Sequence, residues 1–145
     1  MDFLSIAIIL FILLETSNVI ILYFKPDSKL GNGVAVFNGW EKSKKDPEIH
    51  EFIKYLVYWV AGTKLIFIVL LVVILLTGKP VTKLLSVVAL ILSILSFYWR
   101  LYPIIKKLDK GGNITPQGYS KTIGVMIASF IVVFLVALIL YFIFL

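Results

Sequence analysis

The chain has 145 residues, of which 61% are hydrophobic, and its mean hydropathy is +1.05. A water-soluble fold of this length could not cover so much apolar surface, since soluble domains contain about 45–50% apolar residues. The net charge of +6 needs no nucleic acid partner, because a basic rim beside anionic lipid headgroups explains it. The sequence contains no cysteine, which excludes disulfides, thiolate metal sites and thiol redox chemistry.

Four apolar stretches reach the length of about 20 residues that a helix needs to cross a bilayer, and none alternates as a barrel strand would. The first, 3–24, follows a single acidic residue and has no small-residue cleavage pattern, so we expect a retained helix rather than a cleaved signal. The others are 47–77, 81–102 and 116–145. The sequence predicts an all-α integral membrane protein, a single domain of residues 1–145 with four transmembrane helices in an antiparallel bundle.

A proline that follows a residue able to cap a helix marks each of two predicted helix starts. Asp46-Pro47 and Thr115-Pro116 each have the pattern of an N-cap followed by proline at the first helical position, where the missing N–H has no helical partner to lose. We therefore expect helices to begin at 47 and 116.

Glycine and proline also predict where helices end. Gly78 and Pro80 stop the second helix at a tight turn, so the second and third helices should be antiparallel neighbours. Pro103 is expected to end or kink the third helix, followed by a short amphipathic turn. The two longer connections are then 25–46 and 103–115.

The connection 25–46 contains two Asn-Gly pairs, Asn32-Gly33 and Asn38-Gly39, which are typical of tight turns. They enclose an apolar stretch, 34–37, and Trp40 follows. We expect this segment to lie in the membrane interface, with a re-entrant loop that lines a site as the alternative.

Lysine and arginine fall almost entirely in the two longer connections and in the helix ends beside them. By the positive-inside rule, we place both connections in the cytoplasm and both termini on the non-cytoplasmic side of the cell membrane. The predicted partners are membrane lipids, since anionic headgroups attract a basic cytoplasmic rim. The rim residues are Lys44, Lys45, Lys106, Lys107 and Lys110.

Glu15 and Lys64 are the only formally charged residues deep inside the apolar stretches, at similar predicted depths. A lone charge near the middle of a bilayer costs about 2.5–3.5 kcal/mol, and pairing removes most of that cost. Asn18 follows Glu15 by three residues and shares its helix face. We therefore expect an intramembrane cluster in which Glu15 and Lys64 meet.

A polar stripe on the third helix could extend this cluster. Its members recur every three or four residues and favour a helix-packing seam whose hydroxyls bond across it. The alternative is the wall of a hydrated cavity that Glu15 and Asn18 also face. The stripe consists of Ser86, Ala89, Ser93, Ser96 and Arg100. The candidate polar cluster is accordingly Glu15, Asn18, Lys64, Arg100, Ser93 and Ser96.

Catalytic motifs are not found in the sequence. His50 is the lone histidine, and its spacing from Asp46 is a weak indication of metal binding, so we expect a solvated helix start, no metal site and no cofactor. An enzyme is the less favoured interpretation.

Three functional classes remain open. The first is a transporter or channel in which the polar cluster lines a path for a small solute or ion. The second is a non-catalytic scaffold or accessory subunit in which the charge pair fixes helix register. The third is a lipid-headgroup binder or enzyme at the cytoplasmic face. A homodimer or a partner membrane subunit is compatible with the first two.

Overall fold

The computed structural model describes residues 2–30 and 33–144. Within them the chain is helical, apart from loops and a single antiparallel bridge between Phe37 and Ile114. The helices are α1 (Phe3–Phe24), a 3₁₀ helix (Val34–Val36), α2 (Asn38–Ser43), α3 (Pro47–Thr77), α4 (Pro80–Lys110) and α5 (Tyr119–Ile143). Four of them, α1, α3, α4 and α5, are long and apolar enough to cross a membrane. The predicted all-α class and the four predicted long apolar helices are thereby confirmed.

The predicted start of α3 is confirmed. Asp46 Oδ1 accepts hydrogen bonds from the backbone N–H of Glu48 (3.1 Å) and Ile49 (3.2 Å), and Pro47 occupies the first turn. Two N–H groups that no helical carbonyl can reach are thereby satisfied. The helix ends at Thr77, immediately before Gly78, as the sequence predicts.

The predicted end of α4 is wrong. The helix continues through Pro103 to Lys110, so the segment from 103 is helical rather than a loop. Tertiary contacts hold this extension. Ile105 is buried in a small cluster with residues of the connections, and Asp109, only 4% exposed, accepts hydrogen bonds from the backbone N–H of Gly118 (2.8 Å) and Ser120 (2.9 Å). These contacts outweigh the loss of one helical hydrogen bond at proline.

The predicted start of α5 at 116 is also wrong. The Thr115-Pro116 peptide bond is cis, and α5 begins at Tyr119 after Gly118, whose φ is +85°. Thr115 does not cap the helix, since its hydroxyl donates to Oδ1 of Asn38 at 2.8 Å. Asp109 accepts the N–H groups at this helix start instead.

Side-chain contacts establish the antiparallel bundle. Along α1 and α3, Tyr23 stacks on Tyr58 with ring centroids 5.7 Å apart, and Phe11 meets Phe67 at 6.0 Å. Residue numbers thus fall along one helix as they rise along the other. α5 runs against α1 in the same way, with Phe11 contacting Phe134 at one level and Phe3 contacting Phe144 at the end.

The four long helices do not pack equally. α1 packs mainly against α3 and α5, and α4 packs mainly against α5. Between α4 and α5, Tyr98 donates a hydrogen bond of 2.6 Å to the carbonyl of Gly124. A Cβ at Gly124 would lie only 2.8 Å from the hydroxyl of Tyr102, so glycine permits the close approach of the two helices here. α3 and α4 follow each other in the chain through a short connection, but they make few contacts. A seam is therefore left between them.

The two longer connections pack on each other at one end of the bundle. The N–H of Asn38 donates to the carbonyl of Asn113 (2.9 Å), and the N–H of Thr115 donates to that of Val36 (2.8 Å). Val36 and Ile114 are buried. We call this unit the loop cap and define it as residues 25–30, 33–46 and 111–118. The predicted rim lysines, Lys44, Lys45, Lys106, Lys107 and Lys110, lie at this end with exposed side chains.

The structure of the loop cap corrects one expectation, the tight turn at Asn38-Gly39. Asn38 and Gly39 form the first turn of α2 rather than a tight turn, while Asn32 lies outside the described residues. Trp40 is 3% exposed, and its indole N–H donates to Asp27 Oδ1 at 2.7 Å. It therefore holds the loop cap together, while the location of this segment in the membrane interface stays a prediction.

Candidate binding site around Lys64

The contact predicted between Glu15 and Lys64 is present. Nζ of Lys64, on α3, lies 2.7 Å from Oε2 of Glu15 and 2.8 Å from Oδ1 of Asn18, both on α1. The side chains of Lys64 and Glu15 are 26% and 15% exposed, respectively. We call these three residues the Lys64 cluster.

Local sequence explains how the cluster forms. Glu15 and Asn18 are three residues apart, so both side chains leave α1 on one face and one lysine can reach both. The stacking of Tyr23 on Tyr58 is consistent with the same register of α1 against α3. Gly62 permits this approach, because a Cβ there would lie 3.2 Å from the Tyr23 hydroxyl.

The Lys64 cluster is electrically neutral and retains hydrogen-bonding capacity. An ammonium has three donors, and the two contacts of Lys64 use two of them. Within residues 2–30 and 33–144, the amide nitrogen of Asn18 and the second carboxylate oxygen of Glu15 have no protein partner. In this part of the chain, no buried side-chain polar atom lacks a hydrogen-bond partner. The unpartnered atoms of Asn18 and Glu15 are therefore not fully buried and are accessible to water.

One side of the cluster faces a cavity of about 270 Å³ between α1 and α5, which we call the polar cavity. Five of its ten lining residues carry a polar side chain, so water or a polar group can be hydrogen-bonded there. The lining consists of Leu14, Glu15, Ser17, Asn18, Ile21, Lys64, Met126, Ile127, Ser129 and Phe130.

The other side of the cluster faces an open groove of about 390 Å³ beneath the loop cap, flanked by the exposed side chains of Val60 and Leu101, which we call the apolar cavity. Among the residues that the structure describes, Asn18 and Lys64 are its only polar lining residues, and they are shared with the polar cavity. The remaining lining is Leu22, Val34, Phe37, Ile53, Leu56, Val57, Val60 and Leu101. The Lys64 cluster thus forms a common wall between two spaces of different chemistry.

The proposed extension of the cluster along α4 is not assembled. Arg100 is exposed, with its guanidinium carbon 5.0 Å from the centre of the Trp99 ring. Ser93 lines a groove of about 230 Å³ between α3 and α4, and the Ser96 hydroxyl donates to the carbonyl of Ser93. Glu15 and Asn18 do not line that groove.

The expected hydrogen bonds across a seam are also missing from this stripe. The hydroxyls of Ser86 and Ser96 donate to carbonyls of α4 itself, those of Thr82 and Ser93. A serine satisfied within its own helix imposes no direction on helix packing. The regular spacing of these serines along α4 therefore does not show whether they face another helix.

His50 belongs to the loop cap. Its Nδ1 lies 2.9 Å from the Ser43 hydroxyl oxygen, which lies 2.7 Å from the carbonyl oxygen of Trp40. The tautomer of His50 decides whether Nδ1 donates to Ser43 or accepts from it. No group of three or more metal-ligating side chains occurs among the described residues.

Sequence reasoning missed a second polar contact between helices. Nζ of Lys83, on α4, donates to the buried hydroxyl of Ser5 at 2.9 Å and lies 3.6 Å from Oδ2 of Asp2. Asp2 also caps α1 by accepting from the Ser5 N–H and hydroxyl, both at 2.8 Å. The available sequence signal for Asp2 in this contact was its position before an apolar run, which is typical of a helix N-cap.

Comparisons of the chain with protein-family models, with curated proteins and with solved structures give no match. The site must therefore be interpreted from its own geometry.

Proposed function

We propose that this chain is a multi-pass protein of the cell membrane that binds a small solute at the Lys64 cluster and transports it. α1, α3, α4 and α5 are its transmembrane helices. The loop cap lies in the cytoplasm, and both ends of the described chain lie on the opposite side.

Exposed tryptophans support this placement. Trp59 on α3 and Trp99 on α4 are 63% and 74% exposed and lie toward the loop-cap end of the bundle. Tryptophan concentrates at membrane–water boundaries. From Trp59 to Thr77 and from Trp99 to Pro80 are 18 and 19 residues, or about 27–29 Å of helix, which matches the hydrocarbon thickness of about 30 Å.

The charge distribution supports the orientation. All lysines and arginines except Lys64, Lys79 and Lys83 belong to the loop cap or to the helix ends beside it. The positive-inside rule assigns such an end to the cytoplasm, where exposed lysines also gain from anionic headgroups.

The position of Lys64 is the observation that carries the transport proposal. It follows Trp59 by five residues, about 8 Å of helix inside the proposed boundary. Ionisable groups at such depth are costly and usually mark solute or ion pathways. Here the charge is compensated, yet the cluster borders cavities on two sides and keeps free donors. A solute can therefore exchange hydrogen bonds with it without uncovering a lone charge.

A structural role is the second candidate, favoured by a specific observation. Lys64 bonds to both Glu15 and Asn18 of the neighbouring helix, and neither Arg100 nor the serine stripe continues the cluster. In that case the pair only fixes the register of α1 against α3.

Water access to the polar cavity separates the two candidates. Because the chain has no cysteine, single cysteines can be introduced without background. We expect Ser17→Cys and Ser129→Cys to react with a membrane-impermeant methanethiosulfonate in proteoliposomes. Thr63→Cys, an exposed position on α3 that does not line the polar cavity, is the matched control and should stay unreactive.

The structural candidate predicts that none of the three cysteines reacts while the protein remains folded. The same assay tests orientation with Lys45→Cys in the loop cap and Lys79→Cys in the opposite turn. These two cysteines should react from opposite sides of the membrane, and labelling of both from one side would overturn the proposed topology.

A further inference from the structure

The two cavities that meet at the Lys64 cluster differ in chemistry. The polar cavity adds the hydroxyls of Ser17 and Ser129, which donate to carbonyls of their own helices and keep acceptor capacity for a ligand. The apolar cavity offers eight apolar side chains and then ends at Asn18 and Lys64. A ligand that fits both must have a polar group at one end and a hydrocarbon part at the other.

The shape of the apolar cavity restricts the hydrocarbon part. Its lining along α3 extends from Ile53 to Lys64, which are 11 residues apart, or about 16 Å of helix. Its volume of about 390 Å³ lies in the range of small-ligand pockets. A space of this length and volume fits one extended chain better than a compact ring system.

The electrostatics of the cluster restrict the head group. Lys64 and Glu15 already neutralise each other, so a charged head would leave an uncompensated charge in an apolar region, which is strongly unfavourable. The free groups nearest the apolar cavity are donors, the amide nitrogen of Asn18 and the third N–H of Lys64. They require an acceptor oxygen.

We infer that the solute is a single-chain amphiphile with an uncharged, oxygen-containing head, such as a long-chain alcohol, ester or ketone. Its chain occupies the apolar cavity, and its head oxygen accepts hydrogen bonds from Asn18 and Lys64. This inference rests on the proposed function for its use of the Lys64 cluster, but the apolar cavity alone locates the chain.

Photolabelling tests the inference directly. A long-chain alcohol with a diazirine in its chain is added to the protein in nanodiscs, irradiated, and the labelled residues are mapped by mass spectrometry. We expect labels on the lining of the apolar cavity, and competition by the unlabelled alcohol. Analogues with a carboxylate head, an ammonium head or no head should label these positions about tenfold less.

Matched variants assign the labels to the cavity. Val60→Phe fills the apolar cavity from α3 and should lower its labelling about tenfold. Val69→Phe is the control, because Val69 is similarly exposed on the same helix and does not line the cavity. Leu101→Trp, from the α4 wall, is a second filling variant should Val60→Phe fold poorly. Asn18→Ala should weaken labelling by the alcohol but not by the headless analogue.

Equal labelling by the headless analogue, or no effect of either filling variant, would show bulk lipid in an open groove and overturn the inference. That result would leave the transport proposal intact as long as Ser17→Cys and Ser129→Cys still react with the aqueous reagent. Unreactive cysteines with cavity labelling retained would instead overturn transport and leave an amphiphile-binding protein.

Discussion

Lys64 and Lys83 make the same kind of contact in two different places. Each reaches from a long helix to α1, where it meets an acid and a second polar side chain. At Lys64 the acid is 15% exposed and lies 2.7 Å away, whereas at Lys83 it is 44% exposed and lies 3.6 Å away.

The two contacts differ in what the acid does besides pairing. Both oxygens of Asp2 accept hydrogen bonds from Ser5, so this carboxylate is occupied as the cap of α1. Glu15 caps nothing, and its second oxygen faces no protein donor in the described part of the chain. Neither Lys83 nor Ser5 lines the polar or the apolar cavity. The comparison teaches that spare hydrogen-bonding capacity beside a cavity, rather than charge itself, distinguishes a candidate site from a structural contact.

The largest expected effect is at Lys64. Lys64→Met leaves the Glu15 carboxylate without its cation in an apolar environment, and removing one partner of a buried pair typically costs about 3–5 kcal/mol. The residual exposure of both side chains places the expected loss near the lower end, about 3 kcal/mol of unfolding free energy. Denaturant unfolding in detergent micelles measures it.

The double variant Glu15→Gln, Lys64→Met is the control, because it removes both charges together. It should recover most of the lost stability, since neutral replacements of a buried pair are often close to neutral in free energy. If the double variant is as unstable as Lys64→Met, the loss reflects missing side-chain packing, and the charge argument for this cluster fails.

The sequence was sufficient to predict the four long apolar helices and the Lys64 contact. Span length depends only on a long run of apolar residues, and the start of α3 depends on Asp46 alone. The Glu15–Lys64 contact was predictable because two opposite charges in otherwise apolar stretches strongly favour each other. These features are local or involve a single possible partner.

The end of α4, the surroundings of the serine stripe and the two cavities depend on tertiary packing, which sequence patterns do not encode. Pro103 predicts a helix end, but Ile105 and Asp109 stabilise the end of α4 through contacts with residues outside this helix. The spacing of Ser93 and Ser96 shows that they share a face, but not which neighbour that face meets. The separation into two cavities arises from the unequal packing of the four helices.

At Lys83 we expect the acid to matter more than the lysine. Asp2→Ala removes the N-cap of α1 and should cost about 1 kcal/mol. Lys83→Met should cost less, about 0–1 kcal/mol, because the half-exposed Asp2 carboxylate remains hydrated and bonded to Ser5. The same unfolding assay gives both values. A loss at Lys83→Met as large as that at Lys64→Met would remove the distinction between the two contacts.

The smallest effect is expected at the most exposed pair, Lys44 and Asp27 in the loop cap, 2.6 Å apart. The Lys44 ammonium and the Trp40 indole, which both donate to Asp27, lower the pKa of this carboxyl below its ordinary value of 3.8. A lowered pKa means that the interaction is fully present above pH 3.8 and is lost as the pH falls below it.

Trp40 reports this loss, because it is buried in the loop cap and bonded to Asp27. In a variant with Trp59→Phe and Trp99→Phe, the fluorescence of Trp40 should change below pH 3.8. Asp27→Asn in the same background should abolish that change. The difference between the two titrations therefore isolates Asp27, and identical curves would show that its bond to Trp40 does not hold the loop cap.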